Sequence, residues 1–216
     1  MKTISYLFSI IIIAITLLSG CGQLSTLQTA KTLEAGEITV GGAVFGYGVR
    51  TNNSGGGNLG TGIFPHVEFM GRYGLGSAVD MGLKLSTGGN ILMDGKYQFI
   101  GDKASTFAMA IGGGLELQGS NFSRNLIFRT HLPLYLSVHP SENDAIYAAP
   151  RFVWQYVSDN DNSYFLGGGL GYTHRFSDKL SILGEGSFYS PKTQNTNNDG
   201  TYLFQFGVGM VFHLNQ

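Results

Sequence analysis

Apolar and polar residues alternate along residues 37–214 with a period of two, the pattern of β-strands whose two faces meet different surroundings. In one segment Val67 and Phe69 share a face, and His66 and Glu68 share the other. The alternation is clearest in the last segment, where apolar residues occupy the even positions from 202 to 214. Clusters of Gly, Asn, Asp and Ser separate the segments and predict turns.

These boundaries predict an all-β fold of about ten strands, each long enough to cross a membrane, since a tilted strand needs about 9 to 11 residues. An even number of antiparallel strands returns both chain ends to one side, as in single-chain bacterial barrels. We therefore predict an antiparallel up-and-down transmembrane β-barrel, with a count of eight strands left open. The predicted strands cover residues 37–49, 63–73, 78–86, 91–100, 106–118, 126–138, 145–157, 163–176, 180–189 and 201–214.

The two faces of the predicted strands differ in charge. When the more apolar face of strands two to ten points outward, every charged side chain counted on these strands points inward. This arrangement is expected in a membrane, because a Lys or Arg facing lipid at the bilayer midplane costs about 2–4 kcal/mol. Glycines blur both faces of the first strand, which we leave unoriented. The predicted lumen charges are Glu68, Arg72, Asp80, Lys84, Asp94, Lys96, Glu116, Arg129, Arg151, Arg175 and Glu185.

A soluble sandwich or a lipocalin-like barrel would reverse this arrangement, with the apolar face packed inside and the charged face in water. The apolar faces, however, are continuous on nearly every strand. The polar faces are rich in Gly, Ala, Ser and Thr and mix opposite charges, which suits a narrow interior. The pattern therefore favours the membrane barrel.

The predicted connections also differ in length, and the odd-numbered ones include every long one. Outer-membrane barrels have short periplasmic turns and longer extracellular loops, so both chain ends are predicted to be periplasmic. Two Asn/Gly-rich stretches, at residues 51–58 and 195–200, then lie at the outer surface.

The N-terminus has the features of an export signal. Lys2 precedes a largely apolar run from Ile4 to Leu18 that is too short to span a bilayer as a helix. The run ends in Leu18-Ser19-Gly20-Cys21, which resembles the lipobox of bacterial lipoproteins. The resemblance implies cleavage before Cys21 and diacylation of its thiol, and no other cysteine exists to form a disulfide.

The sequence predicts three parts: a lipoprotein signal at 1–20, a lipidated tether at 21–36 and an outer-membrane barrel at 37–216. The tether contains Gln, Ser, Thr and Leu without a clear strand period, and a short helix around residues 27–33 is left open. Glycine follows Cys21, and by resemblance to the enterobacterial sorting rule this implies the outer membrane.

Together, the alternating strands and the lipobox resemble small outer-membrane β-barrel proteins of Gram-negative-type bacteria that carry a lipoprotein signal. The resemblance covers residues 1–21 and 37–214, and it implies membrane lipid and the outer-membrane assembly machinery as partners. Many such barrels end on an aromatic residue that this machinery recognises. This chain ends Asn215-Gln216, so Phe212 is the candidate for that signal.

Composition and charge narrow the function classes. The formal net charge of −1 offers no basic surface to nucleic acid. The histidines show no metal-ligand spacing, so we expect no metal and no other cofactor. The glycine-rich runs at 112–114 and 167–171 precede no predicted helix, which makes phosphate loops improbable and favours a role in barrel curvature.

Enzymatic chemistry is not predicted, and no residue is assigned a catalytic role. Only His66 lies near the outer rim on the inward face, where outer-membrane proteases place Asp and His groups. His174, on the lipid face near the periplasmic end, fits an interfacial anchor.

We expect the lumen charges to pair into a plug. The predicted role is structural or in surface interaction with an unidentified ligand, with a small-solute channel as the alternative and an outer-membrane hydrolase as a weaker one.

Overall fold

The computed structural model describes residues 24–51, 64–119, 126–157, 162–193 and 201–215. Ten strands form one closed antiparallel barrel in which sequence neighbours pair and the last strand pairs with the first. The strands are β1 Ile38–Thr51, β2 Phe64–Gly74, β3 Val79–Ser86, β4 Asn90–Ile100, β5 Phe107–Gly119, β6 Leu126–Val138, β7 Asp144–Val157, β8 Ser163–Ser177, β9 Leu180–Thr193 and β10 Thr201–His213. The predicted fold class and the count of ten are confirmed.

The predicted strand ends agree with the structure to within about two residues, except at the end of β9. That strand continues to Thr193, because Ser190 and Pro191 pair with Leu166 and Phe165 of β8. The residues there are typical of turns, and only the neighbouring strand makes them extended. Pairing across the sheet thus overrides the local turn signal.

The outside of the barrel is apolar. Large hydrophobic side chains such as Phe69, Met93, Leu170 and Val208 are exposed on it. The structure also orients β1, which the sequence did not: Val44 is exposed on the outside, and its neighbours Ala43 and Phe45 are buried inside. An apolar exterior around a polar interior is the arrangement of a transmembrane barrel of the outer-membrane type.

Two features define the ends of the barrel. The longest connection at one end has twelve residues, 52–63, whereas the longest at the other end has six, 101–106. By the general architecture of outer-membrane barrels, the first is the extracellular end and the second is the periplasmic end. Exposed aromatic side chains form a girdle at each end, as membrane interfaces favour: Trp154, Tyr156 and Tyr164 at the extracellular end, and Tyr97, Tyr172 and Phe176 at the periplasmic end.

Several sequence predictions concern parts of the chain that lie outside the described residues. These are the export signal, Cys21, and the Asn/Gly-rich connections at 52–58 and 195–200. Within the described ranges, no helix is long and apolar enough to cross a membrane.

Replacing Val208 by arginine tests the lipid-facing register. Val208 lies on the outside in the middle of β10, opposite Val44 of β1. We expect Val208→Arg to lower the free energy of unfolding by about 2–4 kcal/mol, because it places a charge in hydrocarbon. Denaturant unfolding in lipid vesicles, followed by heat-modifiable gel migration, measures this. Val208→Met is the control and should be nearly neutral; equal stability of the two variants would contradict the register.

Candidate functional site

Residues 24–36, which we call the lumen segment, run through the inside of the barrel. At the extracellular end Leu24 packs against Val153 and Tyr189. Towards the periplasmic end the Leu33 N–H donates to Asp80 Oδ2 at 3.1 Å. Residues 24–36 of the predicted tether therefore lie inside the barrel, and the short helix left open at 27–33 does not form.

A tight turn joins the lumen segment to β1. The Glu37 N–H donates to the Glu34 carbonyl at 3.0 Å, and the Gly36 N–H donates to the Gly74 carbonyl at 2.9 Å. Gly36 has a φ of 82°, a left-handed conformation that favours glycine at the third position of such a turn. The turn reverses the chain from the lumen into the wall of the barrel.

Three apolar side chains of the lumen segment, spaced three residues apart, pack on different parts of the wall. Leu24 contacts β7 and β9, and Leu27 forms a cluster with Ala43, Phe45 and Leu183. Ala30 is fully buried in a third cluster. That cluster also contains Ala108, Ala110, Tyr135 and Ala149. The segment therefore has its own apolar contacts in an interior that also holds many charged and polar side chains.

One carboxylate binds the start of the lumen segment. Glu185 accepts the Thr26 N–H at 2.7 Å and the Leu27 N–H at 2.5 Å, one on each oxygen. Leu27 has a φ of 48°, and such a left-handed residue lets successive N–H groups point at one anion. The hydroxyls of Tyr147 and Ser187 also donate to Glu185. This buried carboxylate is thus fully hydrogen-bonded by neutral donors.

Three cations bind the carbonyl groups of the same segment. Lys84 Nζ donates to the Ser25 and Thr26 carbonyls at 3.2 and 2.8 Å. Lys96 Nζ donates to the Thr29 and Lys31 carbonyls at 2.9 and 2.8 Å. The third cation is Arg151, which donates to the Ser25 carbonyl at 3.2 Å and to Thr26 Oγ1 at 2.7 Å.

Uncharged and acidic side chains bind further groups of the lumen segment. The Ala30 N–H donates to Ser137 Oγ at 3.2 Å, and the Thr32 N–H donates to Gln98 Oε1 at 2.8 Å. The Ser25 hydroxyl donates to Glu68. A buried backbone group without a partner is costly, and here side chains of the wall supply the partners that a regular element would supply itself.

The structure places ten of the eleven predicted charges among buried or nearly buried side chains of the lumen. Arg72 pairs with Asp80 and Asp94, and Arg129 pairs with Glu116 at 2.7 Å. Lys96 Nζ lies 3.5 Å from Asp80 Oδ2 and also binds the lumen segment. The expected paired plug exists only in part, because Glu68, Lys84, Arg151 and Glu185 bind this segment. Arg175 lies at the periplasmic rim, where it donates to the carbonyls of Ser177 and Asp178.

Sequence reasoning missed the aromatic residues of the lumen. The Tyr189 hydroxyl donates to the Leu24 carbonyl at 2.9 Å, and Gln28 Nε2 donates to the Tyr135 hydroxyl at 3.0 Å. Alternation places Tyr189 on the face of Glu185, and this was the available signal. Tyr147 lies directly against Gly171 of β8, where a Cβ atom would collide with its ring.

The histidines fall into separate environments. His66 and His131 are buried in the lumen, with His131 Nε2 2.7 Å from Glu116 Oε2 and His66 Nε2 3.5 Å from Glu68 Oε1. His174 lies at the periplasmic rim with Nδ1 2.8 Å from Asp144 Oδ1, and its ring meets Phe176 edge to face. This position fits the predicted interfacial anchor.

A cavity of about 230 Å³ lies between the lumen segment and the periplasmic turns. His139, half buried in its wall, has Nε2 3.0 Å from Ser137 Oγ. Burial, with the nearby charge of Lys31, lowers the pKa of His139 to about 4. Glu142, Asp144, Lys103 and Arg175 also line this cavity.

No known protein family and no curated protein matches the chain. Among solved structures, an outer membrane channel from Pseudomonas putida F1 is 9% identical to this chain. The alignment covers 88% of this chain and 100% of the channel's chain, with a TM-score of 0.49. The attachment invasion locus protein Ail of Yersinia pestis is 8% identical, with coverage of 84% and 100% and a TM-score of 0.38. The outer membrane protease OmpT of Escherichia coli is 8% identical, with coverage of 89% and 100% and a TM-score of 0.40. At this identity none carries an activity over to this chain.

Removing the Glu185 carboxylate should destabilise the barrel. Glu185→Ala leaves two buried N–H groups of the lumen segment without an acceptor, at about 1–3 kcal/mol each. We expect a loss of about 3 kcal/mol or more in the free energy of unfolding, measured by denaturant titration. Glu142→Ala, at an exposed position of a periplasmic turn, is the matched control and should change little. A similar loss in both variants would show that Glu185 does not hold the segment.

His139 should make stability depend on pH. In the unfolded chain His139 takes up a proton near pH 6.5, whereas in the folded chain it does so only near pH 4. As the pH falls through this window, the wild type loses stability that His139→Gln, which binds no proton, retains. Melting temperatures of both proteins at pH 7 and pH 4.5 test this. Parallel decreases in the two melting temperatures would contradict the lowered pKa of His139.

Proposed function

We propose that this protein is a lipid-anchored outer-membrane barrel whose lumen is closed by its own N-terminal segment, with a structural or surface-interaction role. The observation that supports the closed lumen most directly is the binding of residues 25–27 by Glu185, Lys84 and Arg151. These three side chains come from β9, β3 and β7, so the segment is held from several sides of the barrel.

The filled lumen argues against a small-solute channel. Ser25, Thr26 and Ala30 are fully buried inside the barrel. A solute could pass only after the segment left, which would strip the cations and carboxylates around it of their partners in a partly dehydrated space. Breaking such a buried charge contact costs about 3–5 kcal/mol, and less where water enters.

The arrangement of acids and histidines gives little support to a hydrolase. Glu68, beside His66, is fully buried and already accepts the Ser25 hydroxyl. At the periplasmic rim, Ser141 and His174 both bind Asp144, so serine and histidine share one carboxylate instead of forming a chain from serine through histidine to the acid. Neither group presents an activated nucleophile.

The exterior agrees with the proposed partners. The apolar belt faces membrane lipid, and the Asn/Gly-rich composition of the outer connections suits contact with a surface ligand. Phe212 is exposed on the outside of β10, where it pairs with Val40 of β1. This position at the seam of the barrel supports Phe212 as the residue that the assembly machinery recognises, in place of a terminal aromatic residue.

Planar-bilayer recording of the purified barrel tests the closed lumen. We expect almost no steady current from the wild type. Arg151→Ala removes two bonds to the lumen segment and should give transient openings and a lower melting temperature. Arg175→Ala is the matched control, since Arg175 lies at the periplasmic rim and donates to carbonyls of its own turn, and it should stay silent. A large, steady, ion-selective current in the wild type would favour the channel.

A further inference from the structure

We infer that the lumen segment carries the mature N-terminus to the extracellular face, so that the acyl chains on Cys21 insert in the outer leaflet of the outer membrane. The acyl group rests on the proposed lipid anchoring. The route of the chain does not, because it follows from contacts of residues 24–37 with the barrel wall.

The depth of Leu24 is given by its neighbours in the wall. Leu24 packs against Val153, and the next residue of β7, Trp154, belongs to the extracellular aromatic girdle. The Leu24 carbonyl accepts a hydrogen bond from the Tyr189 hydroxyl, and Tyr189 lies four residues before the extracellular end of β9. Leu24 therefore lies near the level of the extracellular membrane–water interface.

The opposite end of the segment is equally well defined. Glu37 precedes β1 at the periplasmic end, where Lys103 of the turn at 101–106 binds both Glu37 and Glu34. Gly36 binds the carbonyl of Gly74, at the periplasmic end of β2. The thirteen residues 24–36 thus run through the lumen from the level of the extracellular aromatic girdle to the periplasmic end of the barrel.

Chain length then restricts where position 21 can lie. Three residues extend the chain by at most about 11 Å, at up to about 3.6 Å per residue. The apolar band of an outer-membrane barrel is about 25 Å tall. A residue at position 21 cannot reach back to the periplasmic interface, and the direct path through the lumen is filled by the segment itself.

The same contacts decide which leaflet receives the lipid. Acyl chains require hydrocarbon, and the lumen is lined by charged and hydroxyl groups that bind the segment. The hydrocarbon within reach of the extracellular mouth is the outer leaflet. A chain anchored there by lipid and at the periplasmic end by β1 is held at both ends of the barrel, which opposes loss of the segment from the lumen.

Cysteine labelling on whole cells tests the route. In Gln23→Cys, a membrane-impermeant maleimide should react in intact cells, as it should with Thr196→Cys in an extracellular connection. Ala104→Cys, exposed in a periplasmic turn, should react only after the outer membrane is permeabilised. Wild type should stay unlabelled, because acylation occupies its only thiol. Reaction of Gln23→Cys only after permeabilisation, or in neither condition, overturns the route.

Two further measurements separate this inference from the proposed anchoring. Labelled fatty acid should enter the wild type and not Cys21→Ser. If the maleimide labels Cys21 of the wild type and no fatty acid enters, the anchor is overturned and the route stands. Ala30→Cys with Ser137→Cys should form a disulfide, since the Ala30 N–H and Ser137 Oγ are 3.2 Å apart. Normal fatty-acid labelling with no such cross-link would overturn the route and leave the anchor standing.

Discussion

The need to give every buried backbone group a partner underlies this structure. The lumen segment has no regular secondary structure, so it cannot supply its own hydrogen bonds. Carbonyl groups of the segment are bound by Lys84, Lys96 and Arg151, and N–H groups are bound by Glu185, Gln98 and Asp80. The charged lumen is therefore a binding surface for a peptide of this same chain, and only in part a set of ion pairs.

The barrel was predictable because its signal is local. Apolar and polar positions alternate within each strand, and the lipid and the lumen impose opposite preferences on the two faces. The prediction failed where contacts with a neighbouring strand decide the orientation or the end of a strand. Glycines hid the orientation of β1, which depends on Phe45 packing against Gly207 of β10, and turn-like residues hid the end of β9.

The lumen segment could not be placed from sequence, because its partners are far away along the chain. Thr26 binds Glu185, 159 residues later, and the segment itself has the composition of a linker. One local signal was present: Leu24, Leu27, Ala30 and Leu33 recur every third residue, a period that fits neither a strand nor an amphipathic helix. An extended peptide that packs successive side chains on different walls produces such a pattern.

The position of Leu27 links the lumen segment to closure of the barrel. Its cluster joins Ala43 and Phe45 of β1 to Leu183 of β9, the two strands on either side of β10. Glu185, which binds the same residue, also lies on β9. The segment therefore bridges the seam where the first and last strands meet. Because the segment directly precedes β1, the strand that pairs with β10 to close the sheet, the contacts that fill the barrel also stabilise its closure.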